Sequence, residues 1–231
     1  MANITRIFVE GDGDAKFVSD YISYIKPNLN IAKNKKEAYE IYDAGGKIAT
    51  IQVSGGWTNV GNMKTKITEY KEANDIILLI FDADTNDNEG GYDRRKKELE
   101  DYALPLDEIF LFPNNEDDGT LENLLEDIIL KTNKPIFDCW DEFEDCLQKN
   151  ASKKIGKELT IPAKKSKIYV YLESLRGKTK EEKEKVKDPN RDYKEAEYWD
   201  LSSNHLESLK NFLDRYLNME NSNTKHLSGG S

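Results

Sequence analysis

The sequence predicts an α/β fold, with a mostly parallel central sheet flanked by helices and a helical C-terminal region. Three observations carry this. Short apolar runs of strand type alternate with amphipathic helical stretches as far as Leu130, as successive βαβ units do. The run Ile76-Ile77-Leu78-Leu79-Ile80-Phe81 is apolar throughout and bounded by turn signals, which suits a strand buried on both faces. Beyond Leu130 only helical periodicity remains. The expected division is an α/β core over 1–130 and a helical region over 131–231, packed on the core or appended to it.

Taken in order, Ile4 to Val9 reads as a first strand and Glu10 to Gly13 as a tight loop. Asp14 is expected to cap a helix whose apolar face holds Phe17, Val18, Tyr21, Ile22 and Ile25, with Pro27 as its stop. A weak two-piece strand signal runs from Tyr39 to Val53, broken at Gly45-Gly46. Gly55-Gly56 turns the chain, and Thr58 or Asn59 caps a helix carrying Val60, Met63, Ile67 and Tyr70. After the Ile76–Phe81 strand, Asp84 to Gly91 is a polar loop and Tyr92 to Tyr102 a charged helix. Ile109 to Phe112 is a further buried strand, closed by Pro113. Thr120 then caps a helix with Leu121, Leu124, Leu125, Ile128 and Ile129 on one face. Helical stretches follow over Phe137–Leu147, Ile168–Leu175 and Leu201–Leu217, with Trp199 expected in the core. The mixed charge run Lys178–Lys187 reads as a solvated helix or linker.

The chain has 231 residues, 37% of them hydrophobic and 34% charged, so it can bury a core beneath a very polar surface. Its net charge of −10 disfavours indiscriminate nucleic-acid binding but leaves room for a local basic groove. Such a groove has a source. From Lys149 to Lys187, thirteen Lys/Arg face five Glu, a balance of +8 that leaves −18 elsewhere. Cys139 and Cys146 lie seven apart on a helical stretch, roughly 10 Å between Cα atoms and too far for a disulfide. They are expected as reduced core cysteines. No stretch at the start has signal-peptide form and no apolar run approaches membrane-spanning length, so a cytoplasmic protein with no membrane partner is expected.

The chemistry lies in carboxylates at strand ends. Ile7-Phe8-Val9 runs into Glu10-Gly11-Asp12-Gly13-Asp14, and Ile80-Phe81 runs into Asp82-Ala83-Asp84. A buried carboxylate is costly unless hydrogen-bonded, hydrated or bound to a cation. In a parallel sheet with crossovers, all strands end at the same edge, where ligands bind. Alternation along an extended segment puts Asp82 and Asp84 on one side. Carboxylates crowded in this way are relieved by a hard divalent cation such as Mg²⁺.

The pattern Glu10-Gly11-x-x-Asp14 after one strand and Asp82-x-Asp84 after another resembles the Toprim domain over about the first 130 residues. Pro113-Asn114-Asn115 and Gly119-Thr120-Leu121-Glu122 look like Toprim proteins near the OLD-type nucleases. The resemblance implies a Rossmann-like Toprim core and Mg²⁺- or Mn²⁺-dependent phosphodiester chemistry on DNA or RNA. Glu10 would serve as metal ligand or general base, with Asp14, Asp82, Asp84 and Glu122 around the metal. Lys165 or Lys167 would be the cation that such nucleases use near their metals. Glu122 also reads as a surface or capping residue of a first helical turn. The glycine usual soon after the second acidic motif is displaced by Thr85-Asn86-Asp87-Asn88, and no zinc ribbon or topoisomerase tyrosine context is evident. Two other classes compete. One is a Toprim module that binds a metal, nucleotide or protein partner without cutting. The other is a HAD-type phosphatase with Asp82 as nucleophile, which leaves Glu10-Gly11-x-x-Asp14 unexplained.

Overall fold

A computed structural model describes residues 3–35, 38–86, 89–150 and 159–217. Within these the chain forms a six-stranded sheet flanked by helices. The strands are β1 (Thr5–Val9), β2 (Asn30–Lys33), β3 (Tyr39–Asp43), β4 (Gly46–Val53), β5 (Ile76–Asp82) and β6 (Glu108–Phe112). The helices are α1 (Asp12–Ile25), α2 (Lys64–Glu72), α3 (Tyr92–Tyr102), α4 (Leu121–Asp127), α5 (Lys134–Asn150), α6 (Lys164–Leu175), α7 (Lys180–Val186) and α8 (Glu207–Leu217).

Strand order is β2-β3-β4-β1-β5-β6. The four strands from β4 to β6 are parallel, and β2 and β3 add an antiparallel edge. The sheet is thus mostly parallel, as expected, with the antiparallel pairs confined to one edge. The two-piece signal over 39–53 is a hairpin, turned where Asp43 Oδ1 accepts the Gly45 and Gly46 amides at 2.6 and 3.0 Å. Asn30–Lys33 was not expected as a strand. It is mostly exposed, so it lacks the apolar run that betrays a buried one. Trp57–Met63 forms a 3-10 turn before α2 rather than a first helical turn capped by Thr58 or Asn59.

The sheet divides the core in two, and β1 and β5 show how. Ile7, Val9, Leu78 and Ile80 point to one face, and Phe8, Ile77, Leu79 and Phe81 to the other. The first face is the larger. It packs Phe17, Val18, Tyr21 and Ile22 of α1 with Leu124, Leu125, Ile168, Leu172, Leu209, Phe212 and Leu213 from later helices. The second is covered by Val60, Met63, Ile67 and Leu99. Residues beyond 130 therefore share the main core with β1 and α1. Tyr21 Oη donates to the Leu206 carbonyl at 3.2 Å and Thr5 Oγ1 to that of Tyr216 at 3.3 Å, tying the ends of the fold together. Trp199 is buried as expected. Both cysteines are free and exposed on α5, because its buried face is set by Phe137 and Trp140 instead. No described helix is long and apolar enough to cross a membrane.

Leu79 and Ile80 are both fully buried, one on each face. Leu79→Ala and Ile80→Ala are each expected to cost about 2–5 kcal/mol in chemical denaturation. A sheet packed on one face only would lose little at one of the two positions.

Candidate metal centre

The parallel register pairs Val9 with Ile80, so β1 and β5 finish side by side. Glu10 follows β1 directly and Asp82 is the last residue of β5. The chain order turns from β4 across β1 to β5, which makes this edge the switch point where α/β sheets open a crevice. β4 ends on the same edge, and the Ser54 and Gly55 amides donate to the Val9 and Glu10 carbonyls at 2.9 and 3.1 Å.

Helix α1 opens two residues after Glu10, with Gly11 as its N-cap rather than Asp14. A glycine offers no capping side chain. Asp14, in the third helical position, does the work from within, its Oδ2 accepting the Gly11 amide at 2.8 Å. Glu122 stands in the first turn of α4, and the preceding Leu121 amide donates to Asp82 Oδ1 at 2.8 Å. Glu10, Asp14, Asp82 and Glu122 thus line one cleft of about 380 Å³.

Crowding shows in the electrostatics. Burial pushes the Asp14 carboxyl up to about 7, with Glu10 and Glu122 adding repulsion. Burial raises Asp82 well above the ordinary carboxylate range, helped by Asp14, Glu122 and Glu10. Glu10 is raised by burial and by Asp84, partly offset by the Asp82 backbone amide and by Arg95. Glu10 Oε2 is buried and has no hydrogen-bond partner among the described residues. An orphaned acceptor among repelling carboxylates is an unfinished arrangement.

Asp84 does not join its neighbour. Extended geometry ends at Asp82, and Asp84 takes a left-handed φ of 59°, bridged backbone to backbone with Gly119 at 2.7 Å. The alternation expected to place Asp82 and Asp84 together is broken there. Asp84 Oδ2 instead takes Arg95 Nη2 at 2.6 Å, while Arg95 also meets Glu98 at 2.8 Å and lies 4.4 Å over the Trp57 ring. Gly90 permits this turn, since a Cβ there would stand 2.2 Å from that of Asp84.

The two lysines part company. Lys165 lines the cleft and pairs with Asp188, whose pull outweighs burial and raises the ammonium. Lys167 faces elsewhere, bound to Glu126 at 3.1 Å and Asp141 at 2.8 Å above the Phe137 ring. The basic stretch expected to meet nucleic acid falls partly on 151–158, outside the described residues. Asp188 and Arg191 also line the cleft, and Arg95 borders Glu10. Sequence reading missed these three because Asp188-Pro189-Asn190-Arg191 reads as a turn and Arg95 as one charge on a charged helix.

Among the described residues, no three Asp, Glu, His or Cys side chains form a ready cage for a metal. The donor set nonetheless fits a hydrated Mg²⁺ or Mn²⁺, which keeps several waters and needs only one or two carboxylates. Glu10 with its orphaned oxygen, Asp14 and Asp82 supply hard oxygen donors. Against known proteins, residues 4–218 match the model of a family described as "Protein of unknown function (DUF3226)". The chain belongs to that family. No curated protein and no solved structure matches this DUF3226 chain.

The raised Asp14 carboxyl has a thermodynamic sign. Its folded value of about 7 lies above the ordinary 3.8, so the folded state holds the proton more tightly. Metal-free stability from this group falls as pH rises from about 4 to about 7 and is level above. Asp14→Asn, which keeps an oxygen for the Gly11 amide, should remove that fall. Melting curves in EDTA should put the variant above wild type at pH 8 and near it at pH 4; a difference independent of pH would refute the crowding.

Proposed function

We propose that this DUF3226 protein is a metal-dependent phosphodiesterase of the Toprim nuclease type, acting on DNA or RNA. The observation that supports it most is the convergence of Glu10 and Asp82, from adjacent parallel strand ends, with Asp14 and Glu122 in one cleft. Asp14 and Asp82 would hold a Mg²⁺ or Mn²⁺, with Glu122 at the rim and Glu10 as a further ligand or as the base. When bound, the ion neutralises charge on the scissile phosphate.

The remaining work falls to the chain. Glu10 Oε2, buried and unpartnered, takes a proton from the attacking water, and its raised pKa brings it toward the range of an effective base. Lys165 lines the same cleft as the acids and offers a donor to a phosphate oxygen. Arg95 holds Asp84 aside and eases the charge on Glu10. The acidic remainder of the surface, at −18, fits a protein that meets nucleic acid at this local site or within a complex with a protein partner.

A second reading is favoured by one observation. Asp84, a metal ligand in the Toprim resemblance, is taken up by Arg95 at 2.6 Å, which suits a module that binds a metal or nucleotide without cutting.

One set of measurements separates them. Single- and double-stranded DNA and RNA are incubated with the protein and Mg²⁺ or Mn²⁺. Cleavage is expected, reduced about 10²–10⁴-fold in Glu10→Gln and abolished in Asp82→Ala. Cleavage that survives both substitutions sinks the site. Ion binding is read separately as a melting shift, about 2.7 kcal/mol at 100 times Kd, and is lost in Asp82→Asn. A shift with none of the four substrates cut selects the binding module.

A further inference from the structure

The cleft is lined by groups of both signs. Glu10 and Asp82 come from the sheet edge, Asp14 from the first turn of α1 and Glu122 from α4, while Lys165, Asp188 and Arg191 come from the C-terminal region. These three form a chain of ion pairs, fixed at one end and open at the other. Their side chains are 4% exposed at Arg191, 12% at Asp188 and 54% at Lys165. Arg191 is anchored, its Nε donating to the Val186 carbonyl at 3.0 Å and its Nη1 to Tyr193 Oη at 3.2 Å. Its guanidinium also lies 5.0 Å over the Tyr169 ring. Asp188 takes Arg191 Nη2 on Oδ1 at 2.7 Å and Lys165 Nζ on Oδ2.

A structural staple alone needs only Arg191 and Asp188, which bring the segment after α7 against Gly13 in the α1 opening. Adding Lys165 contributes little to stability, because a pair with a half-exposed lysine is worth under about 1 kcal/mol. The pair does fix where the ammonium stands. One carboxylate between two cations leaves a unit of positive charge at the cleft mouth, and an ammonium has three donors, so Lys165 can bind a second acceptor without leaving Asp188.

We propose that Arg191 and Asp188 form a positioning relay, which sets Lys165 Nζ where it can meet the non-bridging oxygen of a backbone phosphate. Asp188 is the positioning residue for Lys165, and Arg191 the positioning residue for Asp188. This rests on the phosphodiester reading, which already gives Lys165 a phosphate oxygen, and adds the two residues that place the lysine.

The test is a double-mutant cycle on binding, by anisotropy of a labelled single-stranded oligonucleotide with Ca²⁺ in place of Mg²⁺, over a range of salt. Lys165→Ala should weaken binding and reduce the slope of log affinity against log salt by about 0.7. Asp188→Asn should weaken binding by a similar factor in wild type and by nothing further in Lys165→Ala, since it acts through the lysine. Should Asp188→Asn fail to fold, Asp188→Glu keeps a charge for Arg191 and serves the same cycle. An equal Asp188 effect in both backgrounds, or an unchanged salt slope in Lys165→Ala, overturns the relay alone. A wild type that binds no strand overturns the phosphodiester reading and the relay with it.

Discussion

Like charge held on largely buried carboxylates is the constraint on which this structure turns. Two carboxylates about 4 Å apart repel by about 4 kcal/mol at an effective dielectric constant near 20. A single hydrogen bond to a charged group returns only about 1.5–3 kcal/mol. The amides of Gly11 and Leu121 thus offset only part of the burial and repulsion that raise Asp14 and Asp82. The cluster either keeps protons, as the raised carboxyls indicate, or recruits positive charge. Two cationic devices already border it. Arg95 takes up Asp84 on one side, and the Arg191–Asp188–Lys165 series stands on the other.

Such a cluster survives only on a rigid platform. β1 and β5 are packed on both faces, so their ends cannot splay to relieve the repulsion without opening both halves of the core. The C-terminal region contributes to that rigidity as well as to the cleft wall. α8 packs on the same face as α1, and Tyr193 sits edge-on to Phe17 at 5.2 Å while its amide donates to Asp20 at 2.9 Å. Stiffness of the platform and placement of the Arg191–Asp188–Lys165 series thus share one set of contacts.

What could be read from the chain beforehand divides along physical lines. β5 announced itself because a strand buried on both faces must be apolar at every position, and helices α3 and α4 matched their expected starts because Gly91 and Thr120 mark them. β2 left no such mark, being an exposed edge strand held by backbone pairing to β3. The cysteines misled for a related reason. Seven-residue spacing fixes a shared helical face but not which face is buried, and α5 buries the one with Phe137 and Trp140. At the site, Glu10, Asp14 and Asp82 stood out as charges at strand ends, and Glu122 and Lys165 entered only through the Toprim resemblance. One cleft gathers these five, while Asp84 and Lys167 are not among its lining. Asp188 and Arg191 were not legible, because their meaning lies in a contact across more than 170 residues of chain with the α1 opening.

Asp84 shows most plainly how backbone decides chemistry. Two residues after Asp82 in a continued strand, it would point into the cleft and add a fifth carboxylate to a cluster already short of cations. A single left-handed residue, allowed by the absence of a side chain at Gly90, turns it out to Arg95 instead. It remains near enough to raise Glu10 by repulsion, and Arg95 near enough to lower it. The orphaned oxygen of Glu10 is thus set between opposing influences, an anion and a cation already bound to one another, and neither satisfies it. Among the described residues it is the only carboxylate oxygen of the cleft left buried without a hydrogen-bond partner, and it is the atom on which the proposed proton transfer depends.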